Sequence, residues 1–240
     1  MYPNVQKYNK MWSQGKIDRP LVVLIGGYAG TGKSTLAKQL LDQFPFTNIL
    51  QTAVLRAILR MFISREKNPF LYVHTYDLPI IDVGERTVSL YDRYRAQVEP
   101  IAMSINKIVE FAGTEKQQRI IEGAHVLPEF LHIEPSVIPV EIYLKVSDVD
   151  LHKRTIAGPT HNRTLSTRQF KTARAIHDQI IKDAKSMGKE VYEIDEAYSK
   201  AMRYIDISLE RYFDLEIHLA DFFGALADVY RIDTSEARGA

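Results

Sequence analysis

The sequence predicts an α/β fold of three layers, in which helices cover both faces of a mainly parallel sheet of five strands. Short segments rich in apolar and branched residues alternate with longer segments of helical periodicity, as in parallel sheets with crossover helices. The strand candidates are residues 21–25, 47–50, 118–121, 137–146 and 190–194. No repeat or clear linker interrupts the pattern, so a single domain over residues 1–240 is expected.

The first strand candidate leads into a glycine-rich loop at residues 27–35, which fits the phosphate-binding pattern G-x-x-x-x-G-K-[ST] of a P-loop. A chain of this length matches the pattern by chance about once in a hundred. The strand before the loop and the helical pattern after it are the setting that the motif requires, and they predict the P-loop NTPase fold. Lys33 is expected to contact the β- and γ-phosphates and Ser34 to ligate Mg²⁺. The nucleotide-binding candidates are Gly27, Gly30, Thr31, Gly32, Lys33, Ser34 and Thr35.

Composition restricts the class of protein further. With 45% hydrophobic and 25% charged residues the chain is typical of globular proteins, and its net charge of +1 gives no general attraction to nucleic acid or anionic membranes. The absence of cysteine excludes disulfides, thiolate metal sites and cysteine nucleophiles. Neither a signal peptide nor an apolar segment of about 20 residues is found. A soluble, cytoplasmic protein without a membrane partner is expected.

Two arginines mark the helix that is expected after the second strand. Arg56 and Arg60 lie one turn apart, beside the face on which apolar residues recur from 55 to 62. A guanidinium group matches carboxylate or phosphate oxygens with two hydrogen bonds, so the pair can clamp an anionic substrate. The spacing alone fits a solvated helix face better, and both interpretations stay open.

The region between this helix and the third strand is expected to contain a long loop and a long helix. Residues 64–85 are typical of an irregular substrate or lid segment. A helix is expected over residues 87–112, with a kink or break at Pro100 and a stop at Gly113.

Glu122 and His125 come directly after the third strand candidate. Ligands of open parallel sheets bind beyond the carboxyl ends of the strands. A carboxylate there can hold Mg²⁺, which prefers one or two carboxylates together with phosphates and water. This position favours a functional Glu122 over a surface turn residue. For His125, ligand binding and a place in the core stay equally open.

A basic segment follows the fourth strand candidate and a turn with a helix N-cap at residues 147–150. Residues 152–170 include Arg154, Arg163 and Arg168 and predict a lid, because arginines that close over the phosphates offset charge on the transferring group. The alternative is a solvated basic loop. Further helices are expected over residues 170–187, 196–215 and 218–231.

The order of these features resembles the small P-loop kinases, and the chain looks like a member of the 2-phosphoglycerate kinase family. The residues that carry the likeness are 26–35, 49–60, 69–76, 120–128 and 152–168, within a core of residues 20–195. The Glu-Gly-x-His step at residues 122–125, combined with Thr-x-x-x-Arg at residues 52–56, is more specific than the P-loop alone.

The resemblance implies an enzyme that uses ATP and Mg²⁺ to phosphorylate a hydroxyl group of a small phosphorylated acid. For this family the reaction converts 2-phosphoglycerate into 2,3-bisphosphoglycerate. The implied catalytic residues are Lys33, Glu122, Arg154, Arg163 and Arg168. The implied substrate-binding residues are Arg56, Arg60, Tyr76 and His125, and the implied metal-binding residues are Ser34 and Glu122.

Ala53 departs from the family pattern. After the second strand the family looks like Ser/Gly-Thr-Asp-x-x-Arg, and its acid is expected to orient the acceptor hydroxyl or to take its proton. Here Ala53 takes that position, and Ala57 replaces a further expected glutamate. General-base help is worth about 10²–10⁴-fold in rate, so its loss need not abolish activity. Asp77, Asp82 and Glu122 are candidate substitutes.

Two other functions stay open. The first is a kinase of the same fold acting on another hydroxyl group, such as a sugar or polyol phosphate or a nucleic-acid 5′-hydroxyl. The near-neutral charge argues against a long polynucleotide, which normally binds to a basic stripe. The second is a nucleotide-binding regulatory protein with weak catalysis, which Ala53 favours. The apolar pattern over residues 218–230 fits either a cap on the domain or a homodimer contact.

Overall fold

The computed structural model describes residues 2–80, 82–83, 86–158 and 164–236. Its strands are β1 (Leu21–Gly26), β2 (Ile49–Gln51), β3 (Asp82–Val83), β4 (Arg86–Thr87), β5 (Arg119–Glu122), β6 (Ile138–Lys145) and β7 (Glu190–Glu193). Within the described residues, one parallel sheet of five strands has the order β2-β5-β1-β6-β7, and β3 and β4 form a separate antiparallel pair. The expected parallel sheet is confirmed.

Helices cover both faces of this sheet. They are α1 (Pro3–Ser13), α2 (Lys33–Leu41), α3 (Thr52–Leu59), α4 (Leu90–Thr114), α5 (Val149–Ala157), α6 (Thr167–Ser186) and α7 (Ala197–Glu236). One apolar core lies between the sheet and α1, α2 and α7, and a second lies between the sheet and α4 and α6. Strand β1 is buried along its whole length and contributes alternate side chains to the two cores, as expected for a central parallel strand.

Strand β1 also marks the position of the site. It pairs with β5 on one side and with β6 on the other, so the order in which strands are added to the sheet reverses at β1. In open α/β sheets, the crevice at the carboxyl ends of such strands is where ligands bind. The P-loop leaves β1 at this end, and Glu122 is the last residue of the neighbouring strand β5.

The prediction of a kink or break at Pro100 is wrong in part, because α4 continues through this residue from Leu90 to Thr114 without a break. An internal proline costs a helix about 3 kcal/mol. Val98, Ile101 and Ile105 are fully buried in the core next to it, and each such burial contributes about 1.5–3 kcal/mol. Packing of the apolar stripe therefore outweighs the local cost. The helix begins after Ser89, whose hydroxyl accepts a hydrogen bond from the Asp92 N–H.

Two other expectations about elements need correction. The helices predicted over residues 196–215 and 218–231 form one continuous helix, α7, because the sequence between them, Glu216-Ile217, contains no residue that stops a helix. The segment 64–85 is not irregular throughout, since it contains 3₁₀ turns at Pro69–Tyr72 and Thr75–Asp77 and the strand Asp82–Val83. The side chains of α7 are described as far as Leu219, so the apolar pattern at 218–230 lies largely outside them.

A helix that crosses a bilayer needs about 20 mostly apolar residues, and the described helices differ from this pattern. None of them combines sufficient length with sufficient apolar character to cross a membrane.

Candidate active site

The P-loop leads directly into the start of α2. Gly32 is the N-cap of this helix in the left-handed conformation, with φ of 83°, and no side chain caps the helix. The first N–H groups of α2 are therefore available to a ligand, and the helix dipole favours a negative charge there. Within the loop, the Thr31 hydroxyl donates a hydrogen bond of 2.9 Å to the Tyr28 carbonyl.

Lys33 lies folded into this loop. Its side chain is buried, and Nζ donates a hydrogen bond of 2.5 Å to the Tyr28 carbonyl oxygen. Burial lowers the pKa of Lys33 to about 8, an effect that the nearby Glu122 opposes. A phosphate group that reached Nζ would supply the charge partner that the backbone carbonyl cannot.

Ser34 and Glu122 meet at the carboxyl ends of β1 and β5. The Ser34 hydroxyl donates a hydrogen bond of 2.7 Å to Glu122 Oε1. Glu122 is buried beside the P-loop although it is the last residue of its strand. A hydroxyl and a carboxylate are oxygen ligands that hard divalent cations accept, and metal binding by this pair stays a prediction.

The described part of the chain offers no competing metal site built from protein side chains alone. No group of three or more His, Cys, Asp or Glu side chains there could hold a metal ion. A Ser34–Glu122 pair fits a cation that takes its remaining ligands from nucleotide phosphates and water, which is the usual state of Mg²⁺ in phosphoryl-transfer enzymes.

His125 is a neutral, buried imidazole on the other side of Glu122. Its Nδ1 lies 2.8 Å from the Thr52 hydroxyl oxygen, and its Nε2 is buried with no hydrogen-bond partner among the described residues. A side chain at Gly123 would collide with the Thr52 hydroxyl, so the close approach of α3 to β5 requires glycine there. Burial, together with the positive charges of Arg56 and Lys33, lowers the pKa of His125 to about 3.

Arg56 and Arg60 support the segment 69–77 rather than facing solvent. Arg56 Nη1 donates a hydrogen bond of 3.1 Å to the Val73 carbonyl, and Arg60 Nε donates one of 2.7 Å to the Leu71 carbonyl. Both side chains are half-buried, so the interpretation as a solvated helix face is wrong. Substrate binding by either arginine stays a prediction.

Tyr76 lies in the same segment. Its ring stacks on His74, with 5.2 Å between ring centroids. The neighbouring Asp77 accepts a hydrogen bond of 2.9 Å from Gln169 in the first turn of α6, which joins this segment to the far end of the predicted lid. Asp77 is therefore already engaged, and the side chain of Asp82 lies outside the described residues.

The three predicted lid arginines have different outcomes. Arg154 is exposed on α5, and Arg168 is exposed in the first turn of α6. Arg163 lies outside the described residues. The lid function of all three stays a prediction.

Sequence reasoning misses the contact that Thr52 makes with His125, and it misjudges the burial of His152. The polar lid segment was expected to include His152, but this residue is fully buried on α5 and its Nε2 lies 2.9 Å from the Ala29 carbonyl oxygen in the P-loop. A signal is present, because His152 and the buried Ile156 are one helical turn apart. For Thr52, the Thr-x-x-x-Arg pattern marks the residue but not its contact, because its partner His125 lies 73 residues further along the chain.

Comparison with known proteins finds 2-phosphoglycerate kinases that match this chain over most of its length. A 2-phosphoglycerate kinase of Methanocaldococcus jannaschii is 29% identical over 231 residues, which cover 90% of this chain and 72% of that protein. A 2-phosphoglycerate kinase of Pyrococcus horikoshii is 29% identical over 197 residues, which cover 79% of this chain and 65% of that protein. No model of a protein family matches the chain.

Among solved structures, shikimate kinase from Acinetobacter baumannii in complex with shikimate is similar. Its TM-score is 0.47 at 14% sequence identity, and the match covers 83% of this chain and 98% of that structure.

Proposed function

Because this chain is related to the 2-phosphoglycerate kinases, we propose that it is an ATP-dependent phosphotransferase that converts 2-phosphoglycerate into 2,3-bisphosphoglycerate. The observation that carries the proposal is the continuity of the site. The positive charges of Lys33 in the P-loop and Arg56 on α3 both act on the buried His125 between them. We therefore expect the nucleotide end and the acceptor end to adjoin at the carboxyl end of the sheet.

The nucleotide end would bind the phosphates through the first turn of α2 and through Lys33. Ser34 and Glu122 would hold Mg²⁺, which when bound neutralises charge on the phosphate oxygens. Lys33 Nζ now donates to the Tyr28 carbonyl. If a phosphate oxygen replaced this acceptor, Lys33 would stay protonated, since the pKa of a buried ammonium rises next to an anion.

The acceptor end would bind an anion that carries both a carboxylate and a phosphate. Arg56 and Arg60 both donate to the backbone of residues 71–73, and Arg60, which uses Nε there, would offer its other guanidinium donors to the anion. Tyr76 and the neutral His125 would complete the contact surface, with His125 offering Nε2 to the acceptor.

Among the described residues, no contact assigns another carboxylate to the role of the acid that is missing at Ala53. Glu122 accepts the Ser34 hydroxyl, and Asp77 accepts the Gln169 amide. Phosphoryl transfer passes through a loose transition state, so positioning and charge neutralisation contribute most of the rate. The proposed enzyme relies on these two effects.

A kinase with a different acceptor is the second candidate, and one observation favours it. Ala53 is exposed at the start of α3, beside the arginines, so an acceptor that needs no carboxylate contact would fit there. A small phosphorylated molecule is the expected partner in both cases. The cytoplasmic location and the homodimer contact stay predictions.

The experiment that tests the proposal measures ADP release with ATP and Mg²⁺ against a panel of acceptors. The panel contains 2-phosphoglycerate, 3-phosphoglycerate, sugar and polyol phosphates and a 5′-hydroxyl oligonucleotide. We expect 2-phosphoglycerate to stimulate ADP release and to yield a bisphosphorylated product. Stimulation by another compound alone would replace the acceptor, and ATP binding without stimulation by any compound would favour a regulatory protein.

Lys33→Ala separates P-loop chemistry from a contaminating activity. We expect this variant to lose at least 10²-fold in turnover, because it removes the cation that faces the transferring phosphate. The matched control is Lys38→Ala, which removes an exposed lysine from the same helix and should leave turnover unchanged. Equal turnover in Lys33→Ala and wild type would disprove the role of the P-loop.

A further inference from the structure

Helix α5 docks directly onto the P-loop. The His152 Nε2 lies 2.9 Å from the carbonyl oxygen of Ala29, and the histidine side chain is fully buried. One turn further along the helix, Ile156 packs against the next residue of the loop. A Cβ atom at Gly30 would lie 2.7 Å from both the backbone nitrogen and the Cγ1 of Ile156, so only glycine permits this contact.

The proton on His152 can be assigned from its partner. A backbone carbonyl only accepts hydrogen bonds, so Nε2 must carry the proton and donate it to Ala29. The other nitrogen, Nδ1, is buried and has no hydrogen-bond partner among the described residues. The ring is neutral, because burial lowers the pKa of His152 to about 4.

Two aromatic rings and a hydrogen-bond chain fix the position of the His152 ring. His177 lies 4.6 Å away between ring centroids, and Phe170 contacts the ring edge-on at 5.9 Å. His177 is itself fixed, since its Nε2 accepts the Val146 N–H at 3.2 Å and its Nδ1 donates to Asp178 at 2.9 Å. Both nitrogens of His177 are therefore occupied. The hydrogen-bond partner of His152 is the Ala29 carbonyl.

The contact determines which way one peptide group of the loop points. In a trans peptide the C=O and the following N–H point in opposite directions. When His152 holds the Ala29 carbonyl toward α5, the N–H of Gly30 faces away from α5. Gly30 has φ of 79°, a conformation in which glycine is unhindered. The same freedom would let this peptide rotate if nothing held its carbonyl.

We propose that His152 is a positioning residue for nucleotide binding, which locks the Ala29–Gly30 peptide so that the Gly30 N–H stays directed at the phosphates. The inference rests on the proposed nucleotide-binding function of the loop, and it is independent of the acceptor. In the free loop, rotation of this peptide would replace a donor by a carbonyl oxygen, which repels phosphate. His152 therefore contributes to ATP affinity without touching ATP.

The test compares the dissociation constant of ATP, measured without acceptor, in three variants. His152→Leu fills the buried site with an apolar side chain and removes the donor. We expect it to weaken ATP binding about tenfold, the equivalent of one hydrogen bond. His152→Gln carries an amide N–H at a similar distance along the side chain and should restore the dissociation constant to within about threefold of wild type. Val109→Ala, the matched control, removes a buried apolar side chain of α4 from the same core, and it should lower Tm and leave the dissociation constant unchanged.

A second measurement separates this role from a general loss of structure. In turnover assays, His152→Leu should raise the KM of ATP about tenfold and leave the KM of the acceptor within twofold. A folded His152→Leu variant that binds ATP as tightly as wild type would show that the contact only packs the helix. The same conclusion would follow if His152→Gln bound ATP as weakly as His152→Leu. Wild-type protein that binds ATP but phosphorylates no 2-phosphoglycerate would overturn the proposed function alone.

Discussion

At the scale of single residues, Arg56 and Arg60 join helix α3 to the backbone of residues 71–73. Each guanidinium group donates to a backbone carbonyl of residues 71–73, and a guanidinium group has five donors in total. The arginines would therefore bind the acceptor and shape its pocket at the same time. Loss of either arginine should weaken binding of the acceptor more than binding of ATP.

Arg60→Ala provides the first test at this scale. We expect the KM of the acceptor to rise at least tenfold, because an arginine that meets an anion contributes about 1.5–3 kcal/mol, while the KM of ATP stays within twofold. Arg65→Ala is the matched control, since Arg65 is an exposed arginine over the same Tyr72 ring. Steady-state kinetics with each substrate varied in turn give both constants. An unchanged acceptor KM in Arg60→Ala would exclude the clamp.

Single residues also show how far the sequence can predict the site. Lys33, Ser34 and Glu122 can be assigned because each follows a strand in a recognisable pattern, and the structure brings them together. Thr52 and His152 cannot, because their roles depend on contacts with residues 73 and 123 positions away. Such contacts arise from the folding of the sheet, and no local pattern encodes them.

At the scale of elements, α1 depends on a residue from the other end of the chain. No side chain from its own N-terminus caps this helix. Instead, the N–H groups of Asn4 and Val5 donate to Asp206 Oδ1 on α7, at 2.8 and 3.0 Å. The carboxylate also lies at the positive end of the α1 dipole, which stabilises a negative charge.

Asp206→Ala should therefore lower the free energy of unfolding by about 1 kcal/mol, the usual effect of removing a helix cap. Asp206→Asn keeps an oxygen acceptor and should recover at least half of this loss. Urea unfolding followed by circular dichroism measures both values, and ATP turnover should be unaffected in either variant. If Asp206→Ala were as stable as wild type, the two hydrogen bonds would contribute nothing to stability.

Element boundaries show where sequence reasoning succeeds and where it fails. The five strands of the parallel sheet are predictable because short branched apolar runs bounded by turn residues are typical of buried strands. Their observed limits differ from the predicted ones by at most two residues. Pro100 and the junction within α7 are the failures. At Pro100 the burial of neighbouring side chains decides the outcome, and within α7 no residue in the sequence requires the predicted interruption.

At the scale of the whole molecule, buried histidines connect stability to pH. Burial lowers the pKa values of His125 to about 3 and of His152 to about 4, and it also lowers the pKa of His177. In the unfolded chain each would titrate near its ordinary value of about 6.5. Between that value and the folded pKa, the unfolded state binds protons that the folded state does not, so stability falls as the pH falls.

We expect the free energy of unfolding to drop by about 2 kcal/mol for each of His125 and His152 between pH 7 and pH 5. Above pH 7 these histidines should have no effect, because they are neutral in both states. Urea unfolding at several pH values measures the slope, and His152→Gln, which cannot titrate, should have a shallower one. Equal slopes in the two proteins would show that His152 is not buried in its neutral form.

The position of β1 in the sheet has a consequence for biosynthesis. This strand is made early and is apolar along its whole length, but its neighbours β5 and β6 begin only at Arg119 and Ile138. A ribosome that adds about 5–20 residues per second leaves it without partners for roughly 5–20 s. During that time the nascent chain exposes an unpaired strand edge, which is a template for aggregation. The central strand that supports the P-loop is thus also the segment of the emerging polypeptide that most needs chaperones.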